Sequence, residues 1–325
     1  MSYFSFDVQK SKKCAVIGCH GTGCAISYAL AQSGMVDSLV LIDSDKRLSE
    51  GQAADLLGAL PPQSDMDIWA GEFSDLSNCA LIVLATGFPA LHESAHADLI
   101  ALNTPNVRHM LSQIATYTSD AVVLVLCEPV DIMTQIAVRY SESSAQRILG
   151  IGTLPLCLRY NSLLAKYLGA DASQVHSMIL GQADEHAVIC KNHIYVCGMP
   201  LESYLKAIGR SIDMTIPLSL FDDALSAQRR AEDAKGRADY SLAKATLLVA
   251  DAVLHDRNTV FPISRLSEQY CELPEVCISL PCRLGKHGAQ IIPEILPDPA
   301  ELEQLQKSAS RLRAQLLDCE ALLQK

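Results

Sequence analysis

The chain has 325 residues, 49% of them hydrophobic, and a formal charge of -11. That length supports two mid-sized domains with real cores. An acidic chain with no basic run is a poor match for nucleic acid or anionic membranes, and no stretch reaches the roughly 20 apolar residues of a membrane helix. Met1 to Lys13 carries no apolar run of signal-peptide length, so the expected location is the cytoplasm.

In chain order, apolar β-rich runs fall at Cys14–Gly18, Leu39–Asp43, Met66–Ala70, Leu81–Ala85 and Ala121–Cys127. Amphipathic stretches such as Gly23–Ser33 and Ser49–Leu60 lie between them. Strands that are apolar throughout are buried on both faces, as in a parallel sheet covered by helices. The first half therefore predicts a doubly wound α/β domain over residues 1–150.

Past Gly150 the pattern becomes mixed. A helix is predicted over Leu156–Leu168, then strands at Ser177–Leu180, Ala187–Cys190 and Ile194–Cys197. Helices follow near Leu220–Asp233 and Tyr240–His255, a strand at Val276–Leu280, and a closing Leu-rich helix over Pro299–Leu323. Residues 151–325 are thus expected to form an α+β substrate domain. With no Pro/Gly linker between the halves, the two should pack together. The 12 cysteines show no CxxC pair. Cys14, Cys79, Cys127, Cys190 and Cys282 sit in apolar runs and read as buried, reduced core residues, and no clustered ligands suggest a metal site.

The first strand leads into Gly18-Cys19-His20-Gly21-Thr22-Gly23. A Rossmann dinucleotide site uses glycines here to make the turn, to let backbone approach the pyrophosphate and to pack helix on strand. Gly18 and Gly23 fill the first and third positions, and His20 stands at the second, where an imidazole should crowd the pyrophosphate. Gly21 offers partial compensation by shifting the turn. Asp43 ends the second strand, where a carboxylate accepts ribose hydroxyls and repels a 2′-phosphate, so the expected cofactor is NAD.

Several stretches resemble the lactate/malate dehydrogenase family: Gly51 to Leu56 (GQAADL), Glu128 to Thr134 (EPVDIMT), Arg147 to Thr153 (RILGIGT) and Ser279 to Gly288 (SLPCRLGKHG), together with the first βαβ unit over Lys13–Asp45. They keep order and spacing over nearly the whole chain. The resemblance implies NAD-dependent hydride transfer to a 2-oxo acid. It also implies a carboxylate-gripping arginine, a proton-donating histidine with its aspartate, and a second arginine on a closing loop.

Carried over position by position, the carboxylate arginine matches Arg159. The orienting aspartate falls on Leu156, the histidine on Ala183, the loop arginine on His96, the substrate-selecting residue on Ala90, the asparagine of NPVD on Glu128 and a late threonine on Ala238. Of a sugar-phosphate activator pair, His176 is kept and Asn161 replaces the arginine. Loss of a histidine together with its aspartate leaves a site that can be neutral and packed, since neither is stranded without its partner. His186 is three residues past Ala183, an offset that points to the opposite face if the strand continues. His96, on the closing loop, is the better candidate replacement acid.

Three functions compete. The chain is an NAD(H)-binding relative with little 2-hydroxy-acid dehydrogenase activity, acting as a sensor or as a subunit beside an active paralogue. Alternatively, it is an active oxidoreductase on a 2-oxo or 2-hydroxy acid through Arg159 and His96, or an interaction protein that keeps only the fold. The resemblance implies a homo-oligomer, a dimer or tetramer, with a small-molecule ligand.

Overall fold

The computed structural model describes residues 12–87, 96–210, 215–268 and 270–323. Its first half runs β1 (Lys13–Ile17), α1 (Gly21–Ser33), β2 (Ser38–Ile42), α2 (Lys46–Gly58), β3 (Asp67–Ala70), β4 (Leu81–Leu84), α3 (His96–Tyr117), β5 (Val122–Val125), α4 (Val130–Tyr140) and β6 (Ile148–Gly150). These strands pair in parallel in the order β3-β2-β1-β4-β5-β6. Every residue of β4 and β5 is buried, which is why their sequences, LIVL and VVLV, do not alternate.

The second half comprises α5 (Leu154–Leu168), β7 (Val175–His176), β8 (Ile179–Gly181), β9 (Ala187–Ile189), β10 (Tyr195–Val196), β11 (Met199–Pro200), α6 (Leu201–Ala207), α7 (Thr215–Lys235), α8 (Asp239–Leu254), β12 (Thr259–Leu266), β13 (Cys277–Gly285), β14 (Gly288–Ile291) and α9 (Pro299–Leu323). Its longer strands extend the first sheet. β12 joins β6 antiparallel through Ser264 and Gly150, and β13, β8 and β9 follow. One hydrophobic cluster runs through both halves, from Cys14 on β1 to Leu316 on α9. A second is centred on the fully buried Tyr160 and includes Leu156, Ile179 and Phe221.

Local chemistry explains the element ends. Asp45 caps α2 by accepting from the Arg47 and Leu48 amides at 3.0 and 3.4 Å. Pro155 sits in the first turn of α5, where its missing N–H costs nothing, and Gly169 ends that helix in the left-handed region at φ 70°. The sequence reading missed β12, whose Pro262 argues against a strand. In the structure Pro262 faces Pro281 of β13. Two residues without N–H groups can face each other only at a non-hydrogen-bonded pair of the ladder.

Cys14, Cys79, Cys127, Cys190 and Cys282 are buried free thiols, as expected. Burial pushes Cys79 and Cys127 up to about 11. Among the described residues no helix is long and apolar enough to cross a membrane.

Candidate active site

The strand order reverses between β1 and β4, and the crevice at the carboxyl ends of such strands is where doubly wound sheets bind ligands. The glycine turn lies there. Gly18 has φ +101°, and a Cβ on it would come within 2.8 Å of the Ala85 carbonyl oxygen. A Cβ on Gly23 would fall 1.8 Å from the Gly18 carbonyl oxygen. Both positions therefore exclude a side chain. A Cβ on Gly21, at φ +39°, would meet Asp239 Oδ1 at 3.8 Å, an ordinary contact.

His20 differs from these three. It is exposed and precedes α1 with φ -93°, an extended conformation open to any residue. The turn therefore keeps its backbone shape with an imidazole at the second glycine position. No acidic residue of α1 itself lies in its first turn, and the carboxylate that meets it there, Asp239 at Thr22, is paired with Lys235 at 3.1 Å. Asp43 Oδ2 accepts the Cys19 amide at 2.7 Å and Oδ1 accepts the Asp45 amide at 3.0 Å. The carboxylate is thus pinned beside the glycine turn; Oδ1 also accepts the Ser44 hydroxyl at 3.4 Å, and Oδ2 keeps a lone pair for a ribose hydroxyl. These residues fit a dinucleotide.

The turn is also tied to the second half. Thr22 donates to Asp239 Oδ1 at 2.6 Å, and Lys235 lies 3.1 Å from Asp239 Oδ2.

A cleft of about 540 Å³ opens between the halves. Leu156 and Ala183 both line it, so the structure brings together the two positions onto which the resemblance maps an aspartate and a histidine. Among the described residues no histidine lines it. His96 begins α3, and its side chain, like Ala90 and residues 92–95, lies outside what is described.

The strand containing Gly181 ends there, so the alternation argument does not reach His186. That histidine lies just before β9, its amide donating to Asp184 at 2.7 Å and its Nε2 3.9 Å from Glu185. His176 is exposed on β7, and Asn161 is half-buried on α5.

Arg159 is half-buried on α5 with Nη2 3.5 Å from the hydroxyl of Ser241, a cleft-lining residue. Its Nε has no hydrogen-bond partner. Burial lowers its pKa from the ordinary arginine value, and the Glu232 carboxylate partly offsets this. Glu128, which stands at the asparagine position of the resemblance, forms an ion pair with Arg237 at 3.5 Å. Arg237 is 9% exposed and also donates to the Leu126 carbonyl at 2.7 Å.

The sequence reading gave no role to Asp131. It is 5% exposed, lines the cleft and accepts the Ala183 amide at 3.1 Å. Burial pushes its carboxyl up to about 7. Asp131 lies in the EPVDIMT stretch that carries the resemblance, but Asp131 and Ala183 meet only through the fold.

The family model for the lactate/malate dehydrogenase NAD-binding domain matches residues 12–150, and that for the α/β C-terminal domain matches residues 157–322. This chain belongs to the lactate/malate dehydrogenase family. Within that family it is 29% identical over 306 residues to an L-lactate dehydrogenase of Priestia megaterium, covering 94% of this chain and 95% of that protein. A lactate dehydrogenase from a Medee basin deep-sea metagenome superposes with a TM-score of 0.90 at 26% identity, covering 96% of this chain and 99% of the other. The minor L-lactate dehydrogenase of Enterococcus mundtii, in a ligand-bound form, gives 0.87 at 26% identity, covering 94% and 98%. The family's N-terminal domain implies NAD as the cofactor, in agreement with the glycine turn and Asp43.

Proposed function

We propose that this chain binds NAD(H) through Gly18, Gly23 and Asp43 and reduces pyruvate or oxaloacetate poorly, if at all. The observation that carries this reading is the wall around Ala183. Two apolar side chains, Ala183 and Leu156, line the cleft at the positions expected to hold a proton donor and its carboxylate. When bound, the cofactor supplies or accepts a hydride. The protein's remaining task is to grip a substrate carboxylate and deliver a proton to the carbonyl oxygen. Arg159 is the residue proposed for the first. For the second, neither Ala183 nor Leu156 has a transferable proton. A positioned general acid is worth roughly 10²–10⁴ in rate. The physiological role is then that of a cofactor-responsive subunit or sensor, in a dimer or tetramer.

Fluorescence titration with NADH, followed by stopped-flow assays with pyruvate and oxaloacetate, tests the reading. We expect saturable NADH binding and slow turnover. Restoring the pair with Ala183→His and Leu156→Asp should raise reduction by about 10²-fold or more. Ordinary enzymatic turnover in the unaltered protein would refute it, as would a folded, NADH-binding double variant no faster than its parent.

A further inference from the structure

The charge lining the cleft is opposite to what a small anion needs. Six lining residues are carboxylic acids: Glu128, Asp131, Asp184, Glu185, Glu232 and Asp233. Two are arginines, Arg229 and Arg237, and each is already engaged. Arg237 pairs with Glu128, and Arg229 donates to Glu185 at 3.1 Å. Arg159 behind Ser241 adds one further cation, with Glu232 as its principal acidic neighbour. Three arginines thus stand against six carboxyls, with Arg311 and His186 acting on Asp184 from outside the lining.

Two buried acceptors on this wall have no donor. Gln182 and Asp131 are each 5% exposed and line the cleft, and Gln182 Oε1 and Asp131 Oδ1 have no hydrogen-bond partner. The Ser264 hydroxyl, itself without another partner, stands beside Asp131 and lowers that carboxyl's pKa against the effect of burial. Buried oxygens left unpaired cost free energy that an incoming N–H group recovers. Burial raises the pKa values of Asp131, Asp184 and Glu232, with Arg311 and His186 offsetting part of the effect at Asp184 and Arg159 part of it at Glu232.

We infer that the cleft is shaped for a 2-oxo or 2-hydroxy acid whose side chain ends in a donor-rich cation, an amine or guanidinium, held against Glu232, Gln182 and Asp131. The inference rests on the proposed role of Arg159 as the carboxylate ligand. The carboxylate end binds at Arg159, and the cationic end fills the acidic wall. The volume permits it: about 540 Å³ lies within the range of drug-sized sites and far exceeds a three-carbon acid. Pyruvate carries no group for the wall, and oxaloacetate brings a second negative charge to it.

Three probes with the same 2-oxo acid head separate the possibilities: 5-guanidino-2-oxopentanoate, 2-oxopentanoate and 2-oxoglutarate. Their affinities are measured by calorimetry on the full chain, with and without saturating NADH. The guanidino acid should bind about tenfold or more tighter than 2-oxopentanoate, the size of one charge-assisted hydrogen bond, and 2-oxoglutarate should bind weakest. Glu232→Gln and Asp131→Asn should each shrink that preference severalfold while leaving NADH affinity unchanged. An equal or reversed order overturns the inference, as does failure of all three to bind at millimolar concentration. Loss of NADH binding alone refutes the cofactor reading instead, and the order of the three affinities still decides the ligand class.

Discussion

The glycine turn after β1 and the wall around Ala183 lie on one continuous sheet, yet they are constrained in different ways. The turn is held sterically. Gly18 and Gly23 cannot carry a side chain because a Cβ would strike backbone oxygen. The wall is held electrostatically, by the buried Asp131, by more exposed carboxyls around it, two of them paired with arginines, and by acceptors without a hydrogen bond. A cofactor site built from close backbone contacts tolerates little change. A substrate wall built from side chains can exchange its charge pattern while the fold around it persists, because function resides in the site and not in the fold.

Four variants sharpen or break this contrast. Asp131→Asn has the largest expected effect. Its carboxyl is raised to about 7 in the folded chain, above the ordinary 3.8. The folded state therefore keeps a proton that the unfolded state has lost between those values. Stability from this group is present below about pH 4 and falls as pH rises through about 7. The variant should gain stability relative to its parent over that window, by up to about 4 kcal/mol, measured by urea denaturation at each pH. A constant difference would break the electrostatic half of the contrast.

Gly23→Ala should cost about 3 kcal/mol and abolish NADH binding, followed by denaturation and titration. Full NADH affinity in that variant would break the steric half. Glu128→Gln leaves the guanidinium of Arg237 without its carboxylate at 3.5 Å. The pair is partly solvated, so a loss of about 1–2 kcal/mol is expected in the same urea assay. The smallest effect belongs to His20→Gly. Because His20 is exposed and extended, stability should change by less than about 1 kcal/mol. NADH affinity should tighten by no more than about tenfold if the imidazole crowds the pyrophosphate.

The reach of the sequence follows the distance over which residues act. The β1–α1–β2 unit and its glycine loop are local patterns and were readable, and the closing helix runs over Pro299–Leu323 as predicted. Strand β12 was hidden by Pro262, whose meaning depends on Pro281 opposite it. Helix α3 carries Pro105 inside it, and Pro129 precedes α4, so neither has a clean local signature. At the site, the resemblance located Ala183, Leu156 and Arg159. The fold was needed to show that Asp131 meets the Ala183 amide and that Glu128 pairs with Arg237.

Helix α9 ties parts of the molecule that are far apart in the chain. Ser308 accepts the Gln182 amide at 3.1 Å, Gln315 accepts from the Gln182 side chain at 3.2 Å, and Glu301 accepts the Lys191 amide at 2.9 Å. The same helix packs on α3, which begins at His96. It acts as a strut between that helix and the floor beneath Ala183. Displacement of α3 must drag this strut or break its bonds to Gln182, so strain applied at one rim of the cleft is transmitted to the other.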